Sequence, residues 1–243
     1  MATNFFPFVA SALIGYFCGA FPTGYFAGRM WGVDVRKHGS GRTGGTNVLR
    51  SAGWGAFLLT FFGDLFKGAL AVLLSRAFFP DAIDAHAFTA FFVMLGHIWS
   101  VFILLLAKPD PRVVYPPGIR GTIQKFAQRG RGGAGVAPTS GAMITLFPPV
   151  ALVVVLPFFI WIFARYASVG SISVALASPF LMLYFWANGF APWSYFLVTL
   201  LVCVVVIIVH RPNIERLRAG TEKKLGERLG QRARKPDSTP SSR

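Results

Sequence analysis

The chain has 243 residues, of which 54% are hydrophobic and 14% charged, and it carries a formal net charge of +15. So apolar a composition excludes an ordinary soluble domain and indicates an all-α polytopic membrane protein. The positive excess then belongs to loops and a tail facing anionic lipid. Because the basic residues are spread between apolar runs rather than gathered on one face, nucleic acid is excluded as a partner.

Residues 4–28 form the first predicted span, interrupted by Pro22-Thr23-Gly24. The run is too long for a signal-peptide core and has no small-residue cleavage site, so it is expected to be retained. The loop 29–53 carries Arg29, Arg36, Lys37, Arg42 and Arg50 against Asp34 alone. The positive-inside rule places it in the cytoplasm and the N-terminus outside.

Within that loop lies Gly39-Ser40-Gly41-Arg42-Thr43-Gly44-Gly45-Thr46-Asn47-Val48-Leu49-Arg50. Its glycines let backbone N–H groups form an anion cradle, and its hydroxyl, Asn and Arg side chains add donors that match phosphate. At the edge of a membrane this points to a phosphorylated substrate that meets lipid. The stretch is not a Walker loop, since no G-x-x-x-x-G-K-[ST] occurs.

The second span, 54–76, contains Asp64 and Lys67, three residues apart and on one helical face. Charges inside a span face a bundle interior, as a neutralising pair or as part of a site. The loop 77–86 has Asp81 and Asp84 without Lys or Arg and is expected outside. The third span, 87–107, holds Gly96-His97, and a basic loop at 108–137 ends in a second glycine-rich segment, Gly130-Arg131-Gly132-Gly133-Ala134-Gly135-Val136.

The apolar stretch 138–209 divides less clearly. Three full spans would leave the basic tail outside, against the charge rule. Pro148, Pro149 and Pro157 suggest instead two short helices, 139–151 and 154–167, returning to the cytoplasmic side through a turn at Ser168-Val169-Gly170-Ser171. Spans at 172–187 and 191–209 then give about seven segments and a cytoplasmic C-terminus. In this reading residues 1–209 form one membrane domain with an insert near 108–130, residues 210–235 a basic tail, and 236–243 a disordered end. Cys18 and Cys203 lie in apolar runs, with no disulfide framework and no metal-ligand spacing.

Several segments together resemble one family, the bacterial acyl-phosphate-dependent glycerol-3-phosphate acyltransferases (PlsY family). They are Gly39-Ser40-Gly41 with Gly44 to Arg50, Asp64 with Lys67-Gly68, Gly96-His97-Ile98-Trp99, and Gly132-Gly133-x-Gly135-Val136-Ala137. Ser168-x-x-Ser171 follows, then His210-Arg211-x-Asn213-Ile214-x-Arg216-Leu217 and Gly220-Thr221-Glu222-x-Lys224. The match covers nearly all of residues 4–226, and its order and spacing make it specific.

The resemblance implies transfer of an acyl group from acyl phosphate to the 1-hydroxyl of glycerol 3-phosphate, giving lysophosphatidate and phosphate. It implies no cofactor and no metal, an inner-membrane location and a site facing the cytoplasm, in a monomer or weak oligomer. By motif position, Gly41, Gly44, Gly45, Thr46 and Asn47, with Ser168 and Ser171, hold acyl phosphate. Ser40, Arg50, His210 and Asn213 hold glycerol 3-phosphate, and His97 orients the reacting groups or shuttles a proton. Ser40, Asn47, Arg50 and His97 are thus the catalytic candidates. Asp64, Lys67, Arg131, Gly132, Gly133 and Gly135 are further candidates.

Two departures stand out. Ala134 occupies the place of the family's lysine between glycines, and Arg42 follows the first Gly-Ser-Gly where the family has asparagine. On sequence alone, Arg131 is the nearest replacement for the lost cation. The alternatives are a transporter, or a catalytically silent homologue, that binds a phosphorylated metabolite. A His-x4-Asp acyltransferase is a weaker rival, because no His has Asp five residues on and His210 has Glu215 there.

Overall fold

The computed structural model describes residues 5–106, 113–155 and 165–224. In chain order it contains α1 (Phe6–Ala20), α2 (Thr23–Met30), a 3₁₀ turn (Val35–Lys37), α3 (Gly45–Ala52), α4 (Trp54–Phe78) and α5 (Ile83–Ile98). These are followed by α6 (Val101–Leu106), α7 (Gly118–Arg129), α8 (Val136–Leu146), a 3₁₀ turn (Pro148–Val150), α9 (Ala167–Ala187) and α10 (Trp193–Arg218). Among the described residues there are no strands, only an isolated antiparallel bridge between Trp99 and Arg131.

Four helical units among these residues are long and apolar enough to cross a bilayer: Phe6–Met30, Trp54–Phe78, Ala167–Ala187 and Trp193–Arg218. The apolar helices Ile83–Ile98 and Val136–Leu146 are shorter. The all-helical membrane architecture agrees with the sequence expectation, while several boundaries differ.

The first span divides where Pro22 cannot donate a helical hydrogen bond, so α1 ends at Ala20 and α2 starts at Thr23. The loop 29–53 is half helical, because Gly44 turns the chain into α3. The third span begins earlier, at Ile83, and breaks at Trp99–Ser100. The basic loop holds a full helix, α7, which turn-forming residues around it had obscured. Of the two short helices, α8 starts three residues before 139 and residues 151–155 are helical, while 156–164 lie outside the described residues. The expected turn 168–171 is the first turn of α9. The last span continues through His210 and Pro212 to Arg218.

Close helix crossings are built on small residues. In lipid, hydrocarbon gives little drive for helix association, so backbone contact and interhelical hydrogen bonds must do the work. Gly15 and Gly19 of α1 lie against the Thr89 and Val93 backbone of α5, and Gly96 of α5 lies against Tyr16 and Ala20. Between α4 and α8, Gly68 meets Pro138 and Gly141 meets Leu65. Polar contacts reinforce the crossings. Ser11 Oγ is 2.8 Å from Ser75 Oγ, and Tyr16 donates to the Trp99 carbonyl at 2.9 Å. Arg76 donates to the carbonyls of Thr145 and Leu146, the free C-terminal acceptors of α8. The main apolar core joins α4, α5, α8, α9 and α10 through Val72, Met94, Met143, Met182 and Val206.

Gly19→Val places a side chain in the Val93 backbone. It is expected to cost about 2 kcal/mol and lower Tm in detergent by roughly 5 °C. Leu13→Val on the same helix, where Leu13 is 53% exposed, is expected to change Tm little.

Candidate active site

The site begins with a buried ammonium. Lys67 Nζ lies 2.8 Å from Asp64 Oδ1, donates to the Phe21 carbonyl at 2.8 Å and approaches His97 Nδ1 at 2.9 Å. The ammonium, which has donors and no acceptor, is thus hydrogen-bonded to Phe21 and His97 and charge-paired with Asp64. The Phe21 carbonyl lies at the Pro22 break between α1 and α2, where it accepts from the Thr23 N–H at 3.0 Å and from Lys67 with its second lone pair. Since Lys67 can only donate, His97 Nδ1 accepts, and the neutral ring carries its proton on Nε2.

The first glycine-rich stretch wraps around Asn47, whose carboxamide is committed to the loop. Its Nδ2 donates to the carbonyls of Val35 and Arg42 at 2.8 Å and of His38 at 3.0 Å, and its Oδ1 accepts from the Ser40 N–H at 3.1 Å. Asn47 therefore shapes the cradle rather than offering its own side chain to a ligand. Gly41, at φ +69°, makes the loop's tight turn and lies away from the cavity lining. The chain then enters α3 through Gly44. The N–H groups of Gly45 and Thr46 precede the first helical bond, which Asn47 N–H makes to Gly44. Neither has an acceptor among the described residues, and they point with the positive end of the α3 dipole.

The second glycine-rich stretch is held by the break after α5. Ser100 N–H donates to Gly130 at 2.8 Å and Gly132 N–H to Ile98 at 2.9 Å. That short pairing lays Gly132 on the His97 carbonyl and Gly133 on His97 Nε2, so a Cβ at either position would collide. A Cβ on Gly44 would sit 3.2 Å from Gly133 Cα. The two glycine stretches thus touch backbone to backbone, above the imidazole.

A third wall comes from α9, α10 and the segment after them. Glu222, buried at 6% exposure, accepts from Ser168 Oγ at 3.2 Å, Asn213 Nδ2 at 2.9 Å and Arg216 Nε at 2.7 Å. Next to it, the Lys223 carbonyl accepts from Arg50 at 3.0 Å. His210 Nδ1 is 2.9 Å from the Val206 carbonyl. A carbonyl only accepts, so Nδ1 carries the proton and Nε2 of the neutral ring is an acceptor. The two histidines therefore present opposite chemistry at Nε2: a donor at His97 and a lone pair at His210.

These walls enclose one cavity of about 820 Å³. Ser40, Gly44, Gly45, Thr46, Asn47 and Arg50 line it from the first loop and α3. Asp64, His97, Arg131, Gly133 and Gly135 line it from the centre, and Ser168, Ser171, His210 and Asn213 from the far wall. Lys67 and Gly132, like Gly41, support it from behind. Sequence reasoning assigned no role to Glu222, Arg165 or Arg216, which also line it. The Gly220-Thr221-Glu222 motif could have flagged the first.

Five arginines, Arg42, Arg50, Arg131, Arg165 and Arg216, face two carboxylates, Asp64 and Glu222. Asp64 is paired with Lys67 and Glu222 with Arg216. The polar end is therefore strongly cationic and suited to more than one anion. The other end is apolar, lined by Trp54, Phe57, Leu58, Phe61 and Phe62 of α4 with Val154 and Val155. Trp54, Leu58 and Phe62 are also 47–62% exposed, so this end opens on the lipid-facing side of α4.

The family model described as glycerol-3-phosphate acyltransferase matches residues 9–106 and 118–220. This chain belongs to the glycerol-3-phosphate acyltransferase family. A family member from Moorella thermoacetica, glycerol-3-phosphate acyltransferase 2, is 38% identical over 221 residues, covering 89% of this chain and 96% of the relative. The Rubrobacter xylanophilus glycerol-3-phosphate acyltransferase is 39% identical, covering 91% and 97%. Among solved structures, the chain is similar to the integral membrane glycerol 3-phosphate acyltransferase PlsY in its glycerol 3-phosphate form. The TM-score is 0.70 at 29% identity, over 90% of this chain and 96% of that one. Its lysophosphatidic acid form gives a TM-score of 0.69. The stretch 107–117 lies between the two matched parts.

The buried Asp64–Lys67 pair is testable. Lys67→Met leaves a carboxylate alone in the bundle and is expected to cost about 3–5 kcal/mol, read as a large fall in Tm. Asp64→Leu with Lys67→Met is expected to regain most of that stability. It is not expected to regain activity, because His97 Nδ1 loses its donor.

Proposed function

We propose that the protein transfers an acyl group from acyl phosphate to the 1-hydroxyl of glycerol 3-phosphate, forming 1-acyl-glycerol 3-phosphate and inorganic phosphate. The observation that carries this reading is the two-ended cavity: glycine amides and arginines at one end, an aromatic groove open to lipid at the other. An acyl phosphate has the matching shape, with a dianionic head and an apolar tail. The head would sit on the Gly45 and Thr46 amides, with Ser171 beside it, and the tail along Phe57, Phe61 and Phe62. Ser40, Arg50 and Asn213 would hold the phosphate of glycerol 3-phosphate, and His210 Nε2 would accept from one of its hydroxyls.

The donor is already activated, so the protein chiefly aligns the two molecules and stabilises charge. The hydroxyl oxygen bonds to the acyl carbon, and the bond from that carbon to the oxygen bridging it to phosphorus breaks, so that phosphate leaves. The hydroxyl proton ends on the departing phosphate. His97 Nε2–H is a fixed donor for negative charge developing at the centre, and Lys67 keeps the ring in that tautomer.

The basic segments that line the cavity, 40–50, 131–135 and 210–222, argue for a site on the cytoplasmic side of a plasma membrane. The N-terminus is then outside, with seven segments in all. Membrane lipid is the third participant, through the open groove.

Purified protein given labelled glycerol 3-phosphate is expected to form product with acyl phosphate and not with acyl-CoA or acyl carrier protein. Product only with the thioesters overturns the donor assignment, and no product with any donor overturns the enzyme reading. Arg50→Ala is expected to raise KM for glycerol 3-phosphate roughly thirtyfold, from loss of about 2 kcal/mol of charged hydrogen bonding. Arg120→Ala, on exposed α7, serves as the unaffected control. Similar KM values for the two variants would remove Arg50 from the phosphate site.

A further inference from the structure

The second glycine-rich stretch has a gap in its chemistry. It packs on His97 and lines the cavity, yet position 134 offers only the methyl of alanine. Its neighbour Arg131 is exposed. A different cation arrives from the other loop. Arg42 Nη1 donates to the Gly133 carbonyl at 3.4 Å, across 91 residues of sequence.

Arg42 is well held. Its carbonyl accepts from Asn47 Nδ2 at 2.8 Å, and its N–H lies 3.4 Å from Ser40 Oγ. The backbones of the two stretches are in contact at Gly44 and Gly133, so a side chain leaving residue 42 reaches the residue 133–134 peptide. Among the described residues no carboxylate pairs with Arg42 or Arg131. Burial, together with the nearby Arg131 charge, pulls the Arg42 guanidinium down to about 10, which still leaves it charged at neutral pH. A half-buried cation on a cavity wall, with no protein counter-ion, gains when an anion joins it.

We propose that Arg42 is the phosphate-binding cation of the second glycine-rich stretch, supplied from the opposite loop in place of a lysine at position 134. Its ligand is the phosphate that lies against Gly133 and His97, on either the acyl donor or glycerol 3-phosphate. The two departures from the family pattern are then one change seen twice: the charge has moved from one glycine stretch to the other. The kinetic part of the test rests on the acyl-transfer reading above; the binding part does not.

Arg42→Gln removes the charge and, being a shorter side chain, the Nη1 contact with the Gly133 carbonyl as well. It is expected to raise KM for one of the two substrates roughly ten- to a hundredfold, and the substrate affected identifies which phosphate is held. Adding Ala134→Lys to Arg42→Gln is expected to recover most of the loss. Ala134→Lys alone is expected to give no gain, because two cations then crowd one anion. Additive effects in the double variant, or an unchanged KM for both substrates in Arg42→Gln, would overturn the proposal.

Inorganic phosphate supplies a readout that needs no turnover. It is expected to raise Tm of the unaltered protein through binding to the folded state, to raise Tm of Arg42→Gln much less, and to act again on the double variant. If the unaltered protein is inactive with acyl phosphate but this pattern holds, the reaction assignment fails and the Arg42 assignment stands. A full phosphate response in Arg42→Gln removes Arg42 from the anion site whatever the activity.

Discussion

An ammonium group inside an apolar bundle needs three acceptors, and the placement of those acceptors organises this molecule. Lys67 finds them at Asp64, at the Phe21 carbonyl and at His97 Nδ1. The first lies on its own helix, the second at the break between α1 and α2, and the third near the end of α5. One side chain therefore fixes the relation of three elements. It also fixes which imidazole nitrogen faces the cavity with a proton. A buried charge that would be a liability alone becomes the reference point for the site, because it has both a counter-charge and hydrogen-bond acceptors.

Around that node the chemistry is carried largely by backbone. Gly44, Gly132 and Gly133 sit where any side chain would meet a neighbouring backbone or the His97 ring. Asn47 spends its whole amide holding the first loop closed. The cost of ordering these loops is thus met before a ligand arrives, which is how a site acting mainly by alignment gains rate. Arginines stand at the edge of this frame, where their reach spans gaps between elements that are far apart in sequence.

Much of this was legible in the sequence. The apolar runs, the charge asymmetry of the loops and the order of glycine-rich motifs led to a helical membrane protein with a polar pocket. Nearly every residue singled out lines the cavity or supports it from behind. What escaped had physical causes. Helix α7 lies in a stretch whose prolines and glycines read as loop. The continuity of α10 through Pro212 depends on packing that outweighs one missing N–H. Glu222 was passed over because a carboxylate is unexpected on a cationic wall, and its value appears only when Ser168, Asn213 and Arg216 are seen around it. That Arg42 reaches the Gly133 carbonyl required knowing which loops touch, which no spacing rule gives.

The flank of α4 bearing Trp54, Leu58 and Phe62 makes the cavity a slot cut into the side of the protein rather than a well sunk from the water. A hydrophobic molecule using that slot arrives by lateral diffusion in two dimensions and never crosses bulk water. Its effective concentration is its mole fraction in the leaflet, so diluting it with inert lipid or detergent lowers encounter frequency even when its amount per volume is constant.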